Sequence, residues 1–327
     1  MALHHTVRII PHERSIKAAE DVSVLAAALL AGMPLPHSCR SGRCGSCRAR
    51  LLSGRVEYPQ GPPPGLSPQE RSEGFVLLCQ ALARSDLVVE ARLMASPASA
   101  EIRTLPTRIA RSVRLSPDVM RLVLRLPSTE ALQFQAGQHL DVLLEGGLRR
   151  SYSVANAPNA GGELELHVQH VPGGAFSAAL FGRLREGALL KIEGPLGQLR
   201  YESGPEPAIF IAGGTGFAPV KAMLGQALLE DSRRALHLYW GARAAAGLYE
   251  AQLLREWTAR HARLTVHTQC TGWVHEAVLE AHPDLAPFAI YAAGPPAMIA
   301  AIRGSFPAHG ARAQLLYLDS FDYATDP

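Results

Sequence analysis

Four of the five cysteines in this chain carry a spacing that could do chemistry: Cys39, Cys44 and Cys47 as C-x4-C-x2-C, then a long gap to Cys79. Three thiols from one loop and a remote fourth form the plant-type spacing for a [2Fe–2S] cluster. A flat two-iron rhomb needs sulfurs converging from one loop, with backbone N–H groups turned towards its sulfides. Gly42 and Gly45 permit the tight, left-handed turns this requires. Cys79 follows the apolar run GFVLL (74–78), a predicted strand that brings the last thiol back. Structural zinc is the alternative. Zinc ligands usually fall in two C-x2–4-C pairs, whereas here the fourth cysteine stands alone. Cys270, outside the motif, reads as a structural free thiol.

The loop is strongly basic. Arg40, Arg43, Arg48, Arg50 and Arg55 lie between Asp21 and Glu57 with no acidic residue in the interval. One reading is an ordinary solvated face. The other is a docking surface for a partner with an acidic face, whose encounter would be fast and salt-dependent. His37, beside the loop, reads as a surface or packing residue, and none of the thirteen histidines has a metal-ligand spacing.

A second group lies in RRSYSVAN (149–156). A strand carrying Arg150, Tyr152 and Ser153 can present three groups to one flavin. The Arg150 guanidinium fork suits a phosphate, the Tyr152 ring packs on the flavin or its ribityl chain, and the Ser153 hydroxyl reaches towards N5, the hydride-accepting atom. Further on, HVPGGAFSAAL (170–180) places Gly173, Gly174 and Ser177 at a predicted helix start, where backbone donors suit a pyrophosphate. GPLG (194–197) closes the region as a turn. Each segment alone also reads as a structural turn.

A third group follows a predicted strand and opens a helix: IAGGTGFAPV (211–220), with Gly213, Gly214, Thr215, Gly216 and Pro219. Glycines let the backbone approach phosphates, and the helix start supplies donors and partial positive charge. Pro219 stands where the dinucleotide fingerprint has glycine or alanine, and a first-turn proline is compatible with a helix. After the next strand, YWGAR (239–243) carries no acid for a ribose 2′-hydroxyl before Glu250, while Arg243 is placed for a 2′-phosphate, which leans towards NADPH over NADH. A last strand runs into YAAGPPAM (291–298), with Gly294, Pro295, Pro296 and Met298 at the carboxyl edge where ligands bind in open α/β sheets.

The elements around these groups fall into three regimes. Residues 1–93 hold the cysteine motif. The stretch 94–104 is rich in small residues and reads as a linker. Residues 105–204 show short alternating strands at 121–126, 139–144, 150–155 and 163–168, separated by turns, which predicts an antiparallel barrel. Residues 205–327 alternate strands (208–213, 236–241, 264–269, 289–294) with helices near 218–230 and 249–260, the rhythm of a parallel α/β sheet. With 327 residues, more than one core is expected. A net charge of +3 is far from a nucleic-acid-binding signature. The apolar run 22–35 is too short to cross a membrane and contains Pro34. The expectation is a soluble, cytoplasmic chain, with a monomer as the simplest state, that binds neither nucleic acid nor membrane.

Taken together, SCRSGRCGSC with Cys79, RSYS with VPGGAFS, and AGGTGFAPVKAML with YAAGPPAM resemble the ferredoxin-reductase superfamily across the whole chain. More narrowly they resemble the reductase components of aromatic ring-hydroxylating dioxygenases, of the terephthalate and naphthalene kind. The resemblance implies a β-grasp ferredoxin domain, an FAD-binding β-barrel and a doubly wound nucleotide domain, in that order. It implies cofactor contacts from His167 and Val168 on the strand before VPGGAFS, and an aromatic near the flavin from the C-terminal tail, for which Phe321 stands; ordinary packing of Phe321 is the alternative. It also implies the reaction: hydride from NADPH or NADH to FAD, then single electrons through the cluster to a terminal oxygenase or an intermediary ferredoxin. Ala293 stands where many relatives carry a cysteine. A soluble monooxygenase, or a dehydratase of sugar deoxygenation, is an alternative acceptor for the same chemistry, and an iron–sulfur redox sensor is an alternative without turnover.

Overall fold

The computed structural model describes residues 3–37, 40–42, 45–91, 93, 101–158, 161–230 and 233–321. The expected linker residues 94–100, and the tail after Phe321, lie outside them. The chain divides into two compact units, 1–99 and 100–327.

The first unit is a five-stranded sheet with a separate two-stranded one and two helices. Its elements are β1 (His4–Ile10), β2 (Arg14–Ala19), α1 (Val24–Leu30), β3 (Arg48–Ser53), β4 (Val56–Glu57), α2 (Pro68–Ser72), β5 (Phe75–Leu77), β6 (Leu82–Ala83) and β7 (Leu87–Glu90). Strand order is β2-β1-β7-β3-β5, with β1 and β7 parallel and the other pairs antiparallel. The apolar run around Leu25 is α1. Ser23 caps it by accepting from the Ala26 N–H at 3.2 Å, and Val24, Leu25, Ala27 and Ala28 are buried in the unit's core. This is the β-grasp arrangement.

The second unit has two layers of organisation. Strands β8 (Arg103–Arg114), β9 (Val119–Arg125), β10 (His139–Leu143), β11 (Arg149–Ser153), β12 (Glu163–Gln169) and β13 (Leu189–Leu196), with α3 (Ala175–Gly182), form an antiparallel sheet in the order β11-β10-β13-β8-β9-β12. A bridge between Val154 and Leu166, and a hydrogen bond from the Ala155 N–H to the Glu165 carbonyl at 2.7 Å, join its two edges into a barrel. Strand β8 begins at Arg103, inside the stretch that composition reads as linker. GPLG is not a free turn: Gly194 to Leu196 belong to β13, and only Gly197 lies beyond it.

The remaining elements are β14 (Ala208–Gly213), α4 (Phe217–Leu229), β15 (Leu236–Gly241), α5 (Ala251–Arg260), β16 (Leu264–Gln269), α6 (Val274–Ala281), β17 (Ala289–Gly294), α7 (Pro296–Ser305) and β18 (Leu316–Ser320). All pairs are parallel, in the order β16-β15-β14-β17-β18. Val220, Leu224 and Leu254 from α4 and α5 pack on one face, and Val278, Ile299 and Ile302 from α6 and α7 on the other. The sheet is therefore doubly wound, and its inner strands β14 and β17 are near-continuous apolar runs because both faces are covered. Strand order reverses at β14, so the crevice for a ligand lies between the loops that follow β14 and β17. No helix among the described residues is long and apolar enough to cross a membrane.

Candidate functional site

In the first unit, Cys47 leads into β3 and Cys79 lies in the turn after β5; both are buried. The register of β3 on β5, extended by the Leu78 N–H donating to the Cys47 carbonyl at 3.2 Å, brings the two together. Tyr58 feels both. Burial first, then the negative charge of the two sulfurs, push its hydroxyl up to about 12, although that oxygen accepts from the Leu77 N–H. Arg40, Gly42 and Gly45 all take left-handed φ, at 53°, 76° and 72°. Gly42 is fixed by packing: a Cβ there would stand 2.8 Å from Pro63 Cβ and 2.9 Å from Gln80 Cγ. Two buried thiols beside a loop of left-handed turns fit a thiolate-held cluster. Cys39 and Cys44 lie outside the described residues.

The basic face is less free than the sequence suggests. Arg48 pairs with Glu70 and lies 4.8 Å from the Phe75 ring centroid. Burial opposes ionisation of Glu70, but Ser67 and Arg48 hold its carboxyl below the usual range. Arg50 stands opposite Glu90 on β7. Arg40 donates to His37 Nε2 at 3.3 Å, and His37 Nδ1 bonds the Leu35 carbonyl at 2.8 Å, so His37 is a buried brace for the loop and not a surface residue. Arg40, Arg50 and Arg55 are exposed, and Arg43 lies outside the described residues.

In the barrel, Arg150, Tyr152 and Ser153 lie on β11, an edge of the sheet order, paired with Val142, Leu140 and His139 of β10. The Tyr152 ring sits 5.4 Å from the ring of Phe176 on α3, so the RSYS and VPGGAFS segments are packed together. Burial drives the Tyr152 hydroxyl well above its ordinary value, against the charge of Arg150, which keeps it a neutral donor. Gly173 takes φ 76° with nothing near its absent side chain, which leaves an open cradle before α3. A flavin phosphate fits there: an open loop, a helix start and a guanidinium on the neighbouring strand. Two expected contacts are used otherwise. Ser177 is buried, and its hydroxyl accepts from the Val171 N–H at 3.1 Å, bracing its own loop. Val168 points into the barrel core, which leaves only its backbone for a ligand.

In the nucleotide module, the loops after β14 and β17 lie against each other. A Cβ on Gly216 would stand 2.1 Å from the Ala293 carbonyl oxygen, and one on Gly213 would stand 2.7 Å from Pro295 Cδ and 2.9 Å from Met298 Sδ. A Cβ on Gly294 would meet Met298 Cε at 2.6 Å. These glycines therefore serve loop-to-loop packing, whereas Gly214, at φ 54° with nothing within 4 Å, faces open space. Trp240 donates to the Gly214 carbonyl at 3.0 Å and stacks on Phe217 at 3.9 Å, which fixes the loop from beneath. Pro219 is buried in the first turn of α4. Pro295 caps α7 and Pro296 is its first residue. Phe321 is half-buried against the sheet core, and its N–H donates to the Gly294 carbonyl at 3.0 Å. Arg243 is exposed after β15, while Glu250 is buried and paired with Arg121, so the first acid after that strand is already engaged. Cys270 is an exposed thiol at the end of β16, not a core residue.

Strand β12 joins the barrel to the nucleotide module through contacts the sequence does not mark. Lys221 on α4 donates to Glu165 at 2.5 Å. His167 lies 2.9 Å from Glu165 through Nε2 and 3.0 Å from the Tyr249 hydroxyl through Nδ1. Thr215 donates to Gln169 at 3.4 Å. Burial opposes ionisation of Glu165, but His167 and Lys221 hold its carboxyl down at about 2. Burial lowers His167, which stays neutral. Glu165, His167 and Glu250 offer ligand atoms within 4.8 Å of one another, as a metal site would. Lys221 and Arg121 already supply the positive charge there, so the cluster reads as an ion-pair network. The imidazole of His167 is thus engaged at both nitrogens.

Comparison with known proteins agrees with this geometry. Residues 7–84 match the 2Fe-2S iron-sulfur cluster binding domain, 106–201 the oxidoreductase FAD-binding domain, and 210–304 the oxidoreductase NAD-binding domain. The chain is 37% identical over 309 residues to a CDP-6-deoxy-L-threo-D-glycero-4-hexulose-3-dehydrase reductase of Yersinia pestis, covering 91% of this chain and 93% of that one. It is 32% identical over 337 residues to a terephthalate 1,2-dioxygenase reductase component of Comamonas sp, covering 99% of each. A solved Amycolatopsis cytochrome P450 reductase superposes with a TM-score of 0.75 at 30% identity, covering 97% of this chain and 98% of that one. With three cofactor-binding modules in one polypeptide, and relatives that match over nearly their full length, the chain belongs to the ferredoxin reductases that carry FAD, NAD(P)H and [2Fe–2S] sites together.

Proposed function

We propose that this reductase serves a separate terminal protein, drawing on NADPH in preference to NADH and docking through the exposed arginines beside its cluster. When bound, the dinucleotide, flavin and cluster would together supply a two-to-one electron conversion. The chain's own residues bind and orient. Arg150 with the Gly173–Gly174 loop holds the flavin phosphates, Tyr152 packs beside its ring system, and Ser153 hydrogen-bonds near the reacting edge. Gly214, with the start of α4, receives the dinucleotide phosphates. Pro295 and Pro296 face the nicotinamide end. Arg243, exposed at the end of β15, meets the 2′-phosphate. Cys39, Cys44, Cys47 and Cys79 hold the cluster.

The observation that carries the reading is the opposed pair of loops after β14 and β17 in the same unit as the β11–α3 cradle. For the acceptor, the reading is an oxygenase component of the aromatic ring-hydroxylating, terephthalate kind, supported by a relative of that description matched over 99% of both chains. A dehydratase of sugar deoxygenation is the second reading, favoured by the 37% identity to a dehydrase reductase. Reconstitution decides between them. The reductase, NADPH and either a terephthalate-type oxygenase or a hexulose dehydratase are combined, and coupled product formation is measured against cytochrome c reduction. Product with the oxygenase alone supports the first reading, and product with the dehydratase alone replaces it. A kcat/KM for NADH above that for NADPH removes Arg243 from its role.

A further inference from the structure

Strand β12 belongs to the flavin barrel, yet alternate residues on one of its faces each hold a different part of the nucleotide module. Glu165 holds Lys221 on α4, His167 holds Tyr249 before α5, and Gln169 holds Thr215 in the phosphate-binding loop itself. Alternation is the strand period, so these three side chains leave the same face in a row. On the adjacent strand, Arg121 of β9 is the register partner of His167, and it closes the row by pairing with Glu250 and lying 3.4 Å from Glu165. Two cations face two anions, His167 is fully buried, and the side chains of Lys221 and Glu250 are only 11% and 7% exposed.

Buried ion pairs add little net stability, because desolvation offsets their attraction. Their best-attested use is to fix one register among several. The register at stake is the one that matters for turnover. Hydride passes only when donor and acceptor lie about 3–3.5 Å apart, and a misplacement of about 1 Å lowers the rate on the order of a hundredfold. The donor's loop and helix belong to one module and the acceptor's barrel to the other.

We propose that Glu165, His167 and Gln169 act as positioning residues that hold the nucleotide-binding loop and α4 in register with the flavin barrel, with Lys221 as the principal anchor on the nucleotide side. This goes beyond the reductase assignment and does not depend on which protein accepts the electrons.

The test uses the FAD-loaded, full-length protein carrying Lys221→Met, with Lys221→Arg as the conservative variant. Four quantities are measured: flavin reduction by NADPH in stopped flow, FAD occupancy, binding of 2′,5′-ADP, and amide hydrogen exchange across residues 213–217. In Lys221→Met, flavin reduction should fall tenfold to a hundredfold, with exchange in 213–217 accelerated. FAD occupancy and 2′,5′-ADP affinity should stay within twofold, because Arg150 and Arg243 are untouched. Lys221→Arg should recover most of the rate. Should Lys221→Met fail to accumulate, Tyr249→Phe removes only the hydroxyl facing His167 and should slow flavin reduction severalfold with the same exchange signature. A reduction rate within twofold of wild type, or a loss matched by equal loss of FAD and of 2′,5′-ADP binding, overturns the proposal. The first result means the row does not set the register; the second means the row only keeps the fold together.

Discussion

Replacing Gly216 with alanine adds a single methyl at the tightest point of the nucleotide module. Its Cβ would stand 2.1 Å from the Ala293 carbonyl oxygen, 2.6 Å from the Ala293 carbonyl carbon and 2.9 Å from Gly294 Cα. All three are backbone atoms, so no side chain can swing away. Restoring ordinary contact requires the loop after β14 and the end of β17 to part by about 1 Å or more. Overpacking of this kind costs roughly 1–3 kcal/mol, and the same displacement at a hydride-transfer centre lowers the rate on the order of a hundredfold. The assay is flavin reduction by NADPH in stopped flow, with urea unfolding measured in parallel. Gly214→Ala is the comparison: its Cβ meets nothing within 4 Å, but its φ of 54° lies in the left-handed region, so it should lose about 1–2 kcal/mol of stability through backbone strain alone. If Gly216→Ala reduces flavin at the wild-type rate and unfolds at the wild-type urea concentration, the two loops are not packed as described and the reasoning fails.

Other changes separate the modules. Cys47→Ser should abolish cytochrome c reduction while NADPH oxidation by ferricyanide, which can draw on the flavin directly, stays within about threefold; simultaneous loss of both in a folded, flavin-loaded protein would contradict the modular assignment. Arg150→Ala should release FAD on dilution, read as loss of flavin absorbance after gel filtration, and unchanged occupancy would exclude Arg150 from the site. Stability should also follow the ionisation of Glu165, held at about 2 against an ordinary value of 4.5. A depressed carboxylate stabilises the fold fully above its ordinary value, and the contribution is lost as pH falls towards 2. The gap corresponds to roughly 3 kcal/mol. Urea unfolding between pH 6 and pH 3 should show that slope in the wild type and a shallower one in Glu165→Gln; parallel slopes would mean Glu165 is not held by Lys221 and His167.

Much of the architecture was legible because period and punctuation agreed. The strands expected at 208–213, 236–241, 264–269 and 289–294 are β14 to β17 to the residue. Parallel strands covered on both faces cannot hide polar residues, so their edges are sharp in sequence. The barrel's alternating segments were equally plain at β9, β10 and β12. Strand β8 was obscured because Arg103 to Arg114 interleaves arginines with small residues and lies against the expected linker. GPLG was misjudged as a turn because glycine and proline are turn residues by habit, yet here they continue β13, paired with β10.

The site divides along a different line. Residues marked by backbone freedom or by a rare side chain stand out in sequence: the glycines of GGTG, the GPP turn, the cysteines. Residues that act through a partner far along the chain do not. Lys221 and Glu165 are 56 positions apart, and His167 and Tyr249 are 82 apart. In sequence, Glu165, His167 and Gln169 are only the polar half of an alternating strand, and such a half is normally solvent-facing. What makes it an interface is that the barrel's edges close beside β12 while the phosphate-binding loop, α4 and the start of α5 come to rest on its outer face. Pattern fixes which face is polar; only topology decides what that face meets. The same limit explains why the glycines of GGTG look alike in sequence while the fold divides them into two kinds. Gly214 leaves its side of the loop open, and Gly213 and Gly216 let a second loop close in behind it.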